Sequence, residues 1–300
     1  MFKYYMLYPL GYKIFSSSAI TRKFYRFLGN SLGQKRKLVG DLPRNFMYEK
    51  RRVRDLIINN CKLKTNSEIL ELGTGWIHRY SLFLRLFKKI KLTLFDVWDN
   101  RQFDLLKKYF GQLPKHLTQE EMDNAAPILN KIENIKSFDE LYQQLECRYE
   151  INENGSLSRF SNDQFDVVFS CNVFEHVKKE ILPGYIQDIN RILKPGGYSA
   201  QIIDMGDHYH YLDKKGTHVK EYLKFSNSLW NFYFDNQIQY INRVQLSEWL
   251  GLFEQVGFNL VYKKEIAADL ETLKVHSDYS AYSKKDLECI RLLVVHQKHE

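Results

Sequence analysis

The feature that most restricts the fold of this chain is a short apolar segment that ends in two closely spaced glycines. Residues 67–72 end in Glu-Ile-Leu-Glu-Leu and lead directly into Gly73-Thr74-Gly75. A helically spaced apolar pattern follows over residues 76–88. A strand, a tight turn and a helix in this order are typical of an α/β sheet whose strands run mainly parallel.

The rest of the chain continues this alternation. Helices are predicted at residues 184–193 and 244–256, and a Pro-Gly-Gly turn follows the first of them. Six more strands are predicted, at residues 91–95, 147–151, 165–169, 198–203, 258–262 and 290–295. The pattern therefore predicts a mainly parallel α/β sheet of seven strands with helices on both faces.

Two regions are longer than this alternation requires. Residues 101–146 form a polar stretch with helical patches at 104–110 and 137–145, which predicts an inserted helical element near the site. Residues 1–60 form a basic, aromatic extension that is helical in pieces. The chain is therefore divided into this extension and one α/β domain over residues 61–300.

The positive charge of the chain is concentrated near its start. The formal net charge is +8, but residues 1–55 hold thirteen Lys and Arg against three acidic side chains, and the remainder holds 31 basic and 33 acidic ones. This segment could pack on the domain or bind an anionic membrane surface, and both interpretations stay open.

Nothing in the sequence indicates export or a membrane span. No apolar run reaches the roughly 18 to 20 residues that a spanning helix needs, and no signal peptide is predicted. We expect a cytoplasmic protein, at the inner membrane surface if the basic segment binds lipid. Cys61, Cys147, Cys171 and Cys289 show no disulfide or Cys/His ligand spacing, so no metal site is predicted.

The glycine turn has the chemistry of a site for a nucleoside-containing ligand. Small residues let a ligand approach the backbone, and the N-terminus of the next helix offers free N–H groups. The dinucleotide pattern would place a third glycine at position 78, where this chain has His78. Glu71 would repel a pyrophosphate but could receive the ammonium group of a methionine moiety, directly or through water.

An acidic residue at the end of the second strand completes this half of the site. Asp96 lies 23 residues after Gly73, close to the offset of about 20 residues at which an acid meets ribose hydroxyls in nucleotide-binding sheets. Asp99 is an alternative for this role. Helix capping is an alternative explanation for either residue.

Four motifs, in order, resemble those of class I S-adenosylmethionine-dependent methyltransferases. They are Glu68-Ile-Leu-Glu-Leu-Gly-Thr-Gly75, the acid Asp96, Phe165-Asp-Val-Val-Phe-Ser-Cys-Asn-Val-Phe-Glu-His176 and Arg191-Ile-Leu-Lys-Pro-Gly-Gly197. The resemblance spans residues 66–204 and implies a Rossmann-like fold with S-adenosylmethionine as the cofactor. Ile77 replaces the third glycine usual in the first motif, which puts the path of this loop in question.

The resemblance also implies a set of cofactor-binding residues. The glycine turn would line the methionine side, Asp96 would bind the ribose hydroxyls, Asn172 would lie by the cofactor, and Asn152 would lie beside the adenine. The full set is Glu71, Gly73, Thr74, Gly75, Asp96, Val97, Asn152, Ser170 and Asn172.

The acceptor end is predicted from side chains that follow later strands. The sequence from Ile203 onward is similar to a bacterial subgroup of methyltransferases found with surface-glycan assembly enzymes, which implies a sugar or sugar-lipid acceptor. Methyl transfer to a hydroxyl needs an aligned attack and usually a base. His208 with Asp207 is the preferred base and His176 the next candidate, because they lie near strand ends, where parallel sheets bind ligands.

Three functions remain open at this stage. The first is O-methylation of a sugar, a glycolipid or another small hydroxylated acceptor. The second is methylation of a nucleic acid held by the basic extension, which the nearly neutral remainder of the chain disfavours. The third is a nucleotide-binding module without catalysis. No oligomeric state is predicted.

Overall fold

A computed structural model describes residues 4–38, 41–42 and 46–300. At its centre is one sheet of seven strands: β1 (Glu68–Leu72), β2 (Lys91–Asp96), β3 (Cys147–Ile151), β4 (Phe165–Cys171), β5 (Leu193–Asp204), β6 (Phe258–Ala267) and β7 (Cys289–Lys298). The strand order is β3-β2-β1-β4-β5-β7-β6. The first five strands are parallel, and β7 runs antiparallel to β5 and β6. The predicted mainly parallel sheet is confirmed.

Helices cover both faces of this sheet. In chain order they are α1 (Tyr4–Ser16), α2 (Ala19–Leu38), α3 (Phe46–Asn60), α4 (Arg79–Phe87), α5 (Phe103–Gln112), α6 (Gln119–Asn134), α7 (Phe138–Leu145), α8 (Leu182–Ile192), α9 (Asn227–Leu229), α10 (Leu246–Gln255) and α11 (Lys284–Glu288). A π-turn at Trp230–Phe234 follows α9, and short 3₁₀ turns occupy several of the connections.

Alternation along the strands divides the core between the two faces. In β1, Ile69 packs in a cluster with α3 and α4, while Leu70 and Leu72 pack in a cluster with α8 and α10. Successive strand residues point to opposite faces, and both sets are buried. This is why the apolar residues Ile69, Leu70 and Leu72 do not simply alternate with polar ones in the sequence.

Element boundaries differ from the prediction where glycine and proline occur. The predicted turn Lys194-Pro-Gly-Gly197 is part of β5, because the strand begins at Leu193 and its pairing with β4 shifts register near Phe165. A Cβ on Gly197 would lie 2.8 Å from the Lys194 carbonyl oxygen, so the chain bends tightly there. The turn signal marks an irregularity inside a strand.

The inserted segment 101–146 forms α5, α6 and α7, with a 3₁₀ turn at Leu113–His116. Helix α6 begins at a capping box, in which the Thr118 hydroxyl accepts from the Glu121 amide and the Glu121 carboxylate accepts from the Thr118 amide. The same carboxylate pairs with Arg51 and Arg54 of α3, both at 2.6 Å. Glu121 therefore ties the helical insertion to α3.

Helices α1 and α2 fold back on the domain. The buried Tyr5 hydroxyl donates to the Asp207 carboxylate at 2.6 Å. The Arg26 guanidinium stacks 3.6 Å from the ring centre of Trp98. The inner faces of both helices thus contact the domain, which is the packing alternative left open by the sequence. Within the part of the chain that the structure describes, no helix is both long and apolar enough to cross a membrane.

We expect Glu121→Gln to lower the free energy of unfolding at pH 7 by roughly 1 to 2 kcal/mol, because it breaks two charged contacts in one network. Hydrogen bonding from Arg51 lowers the pKa of Glu121 from 4.5 to about 2, and Arg54 adds to this. Because the folded pKa is depressed, this contribution is complete above pH 4.5 and is lost as the pH falls through about 2.

Urea unfolding at several pH values measures this effect. The exposed neighbour Glu120 is the matched control, and Glu120→Gln should unfold like the wild type. A stability difference between wild type and Glu121→Gln that stays constant down to pH 2 would show that the ion pairs do not contribute.

Candidate active site

The strand order reverses between β1 and β4, and a cavity of about 520 Å³ opens at the carboxyl ends of these strands. Open parallel sheets bind ligands at this kind of switch point. The glycine turn and the residues after β4 form the floor of the cavity, and α3, α4, α5 and β7 supply its walls. The predicted cofactor residues can be compared with this cavity one by one.

Gly73 and Gly75 both need the left-handed conformation that favours glycine, with φ of 69° and 66°. A Cβ on Gly73 would lie 2.4 Å from Cγ2 of Val173, so the turn passes directly against the residues after β4. A Cβ on Gly75 would meet nothing within 4 Å. Gly75 therefore faces open space in the cavity, where a ligand can approach the backbone.

Glu71 lies beneath the turn and does not line the cavity. Its buried carboxylate accepts hydrogen bonds from the Thr74 hydroxyl at 3.0 Å and from the Ser81 amide at 3.3 Å. Burial raises the pKa of Glu71 to about 7. This carboxylate holds the first turn of α4, and the predicted direct contact with a methionine ammonium group is not favoured by its position. Thr74 does line the cavity.

The atypical loop that comes after the glycine turn ends at His78, which has a left-handed backbone conformation. His78 has φ 49° and is fully buried, with its ring nitrogens 2.9 Å from the Thr74 hydroxyl and 2.8 Å from the Tyr142 hydroxyl. Burial lowers the pKa of His78 to about 3, so the ring is neutral at pH 7. The predicted helix at 76–88 therefore begins only at Arg79, because His78 breaks the helical conformation.

Asp96 joins the turn to the end of β2. Its carboxylate accepts from the amides of Gly75 and Val97, both at 2.8 Å. A carboxylate has about four acceptor positions, so capacity remains for a ribose hydroxyl. Asp99 is instead exposed and paired with Arg101 at 2.7 Å. The Trp98 amide lies 3.4 Å from the Asp96 carboxylate. The structure thus ties Asp96, and not Asp99, to the glycine turn, and neither residue lines the cavity.

Asn152 reaches the site through its backbone. Its amide donates to the Asp96 carbonyl at 3.1 Å, which places the end of β3 beside the end of β2. Its side chain is turned into its own loop, where it donates to the Ser156 carbonyl at 3.0 Å. A direct side-chain contact with an adenine is therefore not formed by this conformation.

The two predicted residues of β4 differ in position. Ser170 is buried within the sheet and donates to the Gln201 side chain at 2.6 Å, so it does not line the cavity. Asn172 lines the cavity in a left-handed conformation, and its buried Oδ1 has no hydrogen-bond partner among the described residues. A buried acceptor without a donor at a cavity wall is suited to a ligand.

The predicted Asp207–His208 pair is not formed. The Asp207 carboxylate accepts from the Tyr5 hydroxyl and from the Tyr209 amide at 2.9 Å, and burial raises its pKa to about 7. His208 Nδ1 instead lies 3.0 Å from the side-chain amide of Gln239. Asp207 anchors α1 to the domain and does not orient the histidine.

His176 and His208 do meet, although they follow different strands. Their ring centres are 4.9 Å apart in an edge-to-face arrangement. Packing of the rings among protein atoms lowers the pKa of both, that of the buried His208 to about 4, while His176 as a whole residue stays exposed to solvent. Both imidazoles are therefore neutral at pH 7.

Sequence reasoning missed several polar residues near the site. Glu175 is buried beside the two histidines, and burial raises its pKa well above the usual range. Lys50 and Arg291 line the cavity from α3 and β7. The position of Glu175 beside His176, directly after a strand, was an available signal. Lys50 and Arg291 gave no local signal, because only the tertiary fold brings them to the cavity.

A comparison with known protein families decides the class of this site. The family described as "Methyltransferase domain" matches residues 46–263. The chain belongs to the methyltransferase domain family. The match begins within the segment assigned to the extension, so it includes α3, which packs against α4 and supplies part of the cavity wall.

Some solved structures are similar to this chain in fold. Phosphoethanolamine N-methyltransferase 2 of Haemonchus contortus, in complex with S-adenosyl-L-methionine, is 14% identical with a TM-score of 0.50, over 83% of this chain and 53% of that one. This chain thus spans about half the length of that protein. An S-adenosylmethionine-dependent methyltransferase from Methanosarcina mazei is 16% identical with a TM-score of 0.47, over 81% and 97% of the two chains. The family agrees with the methyltransferase predicted from the sequence, and the fold of the first structure agrees with the predicted Rossmann-like sheet.

We expect Gly73→Ala to destabilise the methyltransferase by about 2 kcal/mol or more and to weaken binding of S-adenosylhomocysteine, because it adds a steric contact to left-handed strain. Gly75→Ala is the matched variant, with the left-handed strain but without the steric contact, and it should lower the free energy of unfolding by about 1 kcal/mol. Thermal unfolding and calorimetric titration measure both effects.

A double variant separates contact from strain. Val173→Ala removes the methyl groups that a Cβ at position 73 would strike, so it should recover part of the stability lost in Gly73→Ala. Equal stability of the single and double variants would contradict the steric explanation.

Proposed function

We propose that this methyltransferase transfers the methyl group of S-adenosylmethionine to a hydroxyl group of a sugar, a glycolipid or another small hydroxylated acceptor. The observation that carries the proposal is the division of the site across the switch point. The glycine turn and Asp96 lie over β1 and β2, and the neutral pair His176 and His208 follows β4 and β5.

The cofactor half fits the nucleoside and amino-acid ends of this molecule. Gly75 faces open space, Asp96 keeps acceptor capacity, and Asn172 has an unpaired buried oxygen. Gly75 lets the cofactor approach the backbone, and Asp96 can accept hydrogen bonds from ribose hydroxyls. The Asn172 oxygen can accept from a donor group of the cofactor. S-adenosylmethionine supplies an activated methyl group when bound, and the residues of this chain hold it in place.

The acceptor half is polar, which suits a hydroxylated molecule better than an apolar one. His176, His208 and Asp204 lie close together at the ends of β4 and β5. The Tyr211 hydroxyl donates to Asp204 at 2.8 Å. A neutral imidazole can accept the proton that an acceptor hydroxyl loses during methyl transfer. The similarity of the segment after Ile203 to surface-glycan methyltransferases supports a sugar or sugar-lipid acceptor.

The nucleic-acid alternative is less well supported. Several basic residues near the start of the chain are already paired or stacked. Arg51 and Arg54 bind Glu121, Arg52 binds Glu49 at 3.2 Å, and Arg26 covers Trp98. Phosphate binding needs free Lys and Arg side chains on one surface.

Methyl transfer with labelled S-adenosylmethionine tests the proposal. The wild type should label sugar or glycolipid acceptors and should leave RNA and DNA unlabelled. Asp96→Asn should raise KM for S-adenosylmethionine about tenfold or more, because it weakens hydrogen bonding to a charged acceptor. Asp99→Asn is the matched control and should keep the wild-type KM.

Two results would contradict the proposal in different ways. Label found mainly in nucleic acid would favour the alternative substrate. Stabilisation by S-adenosylhomocysteine, with no label in any acceptor fraction, would favour a binding module without catalysis.

We infer that the outer faces of α1 and α2 hold the enzyme at an anionic membrane surface. Exposed apolar side chains lie on these faces at helical spacing: Tyr4, Leu7, Leu10 and Ile14 on α1, and Ile20, Phe24 and Phe27 on α2. Exposed Lys23 stands among them. Apolar residues combined with basic ones are typical of helices that lie in the membrane interface. This position would bring the enzyme close to a sugar-lipid acceptor.

We expect the double variant Phe24→Ser/Phe27→Ser to bind vesicles containing anionic phosphatidylglycerol at least about tenfold more weakly, since each buried Phe contributes roughly 1.5 to 3 kcal/mol. Cosedimentation measures the bound fraction. Leu260→Ser/Val261→Ser is the matched control, because it removes comparably exposed apolar residues from β6. Equal binding of wild type and Phe variant would exclude this surface.

A further inference from the structure

Three potential metal ligands converge at the acceptor end of the site. Glu175 and His176 lie in the 3₁₀ turn Phe174–His176 after β4, and His208 lies in the loop after β5. One ligand atom from each residue lies within 4.8 Å of the other two. No metal-ligand spacing is visible in the sequence, because the third residue is 32 positions from the second and only the sheet brings them together.

The carboxylate of Glu175 is the second, independent observation. The residue is 3% exposed, and neither carboxylate oxygen has a hydrogen-bond partner among the described residues. The guanidinium of Arg291, which interacts electrostatically with Glu175, is held by Glu49 at 2.9 Å and by Asp204 at 3.5 Å. Buried carboxylates are normally paired, hydrogen-bonded or bound to a metal ion. A cation in this cluster would satisfy Glu175.

Both imidazoles are held by their outer nitrogens. His176 Nδ1 donates to the Tyr240 carbonyl at 2.7 Å. The Gln239 side-chain nitrogen lies 3.0 Å from His208 Nδ1, and turning this amide by 180° would place its oxygen there to accept the Nδ1 proton. In this tautomer the Nε2 atoms of both rings are free. Metal-binding histidines commonly have their other ring nitrogen fixed by a carbonyl group in this way.

We propose that Glu175, His176 and His208 bind a divalent first-row transition-metal ion such as Mn²⁺, Co²⁺ or Zn²⁺. Two imidazoles favour these ions over Mg²⁺ and Ca²⁺, which prefer oxygen ligands. Ligands 2.1 Å from one ion are at most about 4.2 Å apart, so atoms that lie within 4.8 Å of one another need little movement to bind it. His176, the exposed member, has room to move.

The ion would keep open coordination positions, because three side chains of the described residues converge on it. A hydroxyl group bound at such a position loses its proton more readily, since the cation stabilises the oxyanion. This role rests on the proposed O-methyltransferase function, whereas ion binding itself does not. The two histidines would then act by holding the ion, and the proton of the hydroxyl would leave to solvent or to a nearby base.

The test is titration of the chelator-treated full-length protein with MnCl₂, followed by the loss of the electron paramagnetic resonance signal of free Mn²⁺. The wild type should bind one ion per chain. Glu175→Gln and His208→Gln should each weaken this binding at least about tenfold. Glu180→Gln and His116→Gln change exposed residues of the same types outside the cluster and should bind Mn²⁺ like the wild type.

The rise in Tm with S-adenosylhomocysteine reports whether each variant is folded, and His208→Gln carries the test if Glu175→Gln fails to fold. No stoichiometric binding by the wild type, or equal binding by both cluster variants, overturns the metal site. Ion binding without methyl transfer to any acceptor supports the site and overturns the proposed function. Methyl transfer that is unchanged by chelator overturns the catalytic role of the ion.

Discussion

Gly73 and Val173 belong to loops that follow neighbouring parallel strands, and they approach so closely that only glycine fits at position 73. This contact fixes the glycine turn against the residues after β4. Val173 is flanked by Asn172, which lines the cavity, and by the turn that carries Glu175 and His176. The distance between the glycine turn and the turn that carries Glu175 and His176 therefore depends on the absence of one methyl group.

The strands could be predicted from the sequence because burial on both faces of a parallel sheet leaves continuous apolar runs. The first strand and the acid at the end of the second were recognisable for this reason. The start of α4 was not, because His78 adopts a left-handed conformation that a non-glycine residue rarely takes. Its buried hydrogen bonds to Thr74 and Tyr142 stabilise that conformation, and Tyr142 lies in the distant insertion.

Part of the geometry of the site was predicted. The positions of Asp96 and the glycines could be predicted because they follow from the backbone at strand ends. The orientation of side chains could not: Glu71 and Asp207 both point into the protein, toward partners that the local sequence does not reveal. His176 and His208 were each identified, but the meeting of their rings depends on the adjacent positions of β4 and β5.

The bond between Tyr5 and Asp207 links the start of the chain to the loop that carries His208. Tyr5 is buried among the rings of Tyr209, Phe225 and Phe234, so α1 forms part of the structure around this loop. Linkage between two such elements is reciprocal. A ligand that orders the loop strengthens the docking of α1 by the same free energy with which the docked helix strengthens ligand binding. Docking of α1 and ligand binding at the loop that carries His208 are thus thermodynamically coupled.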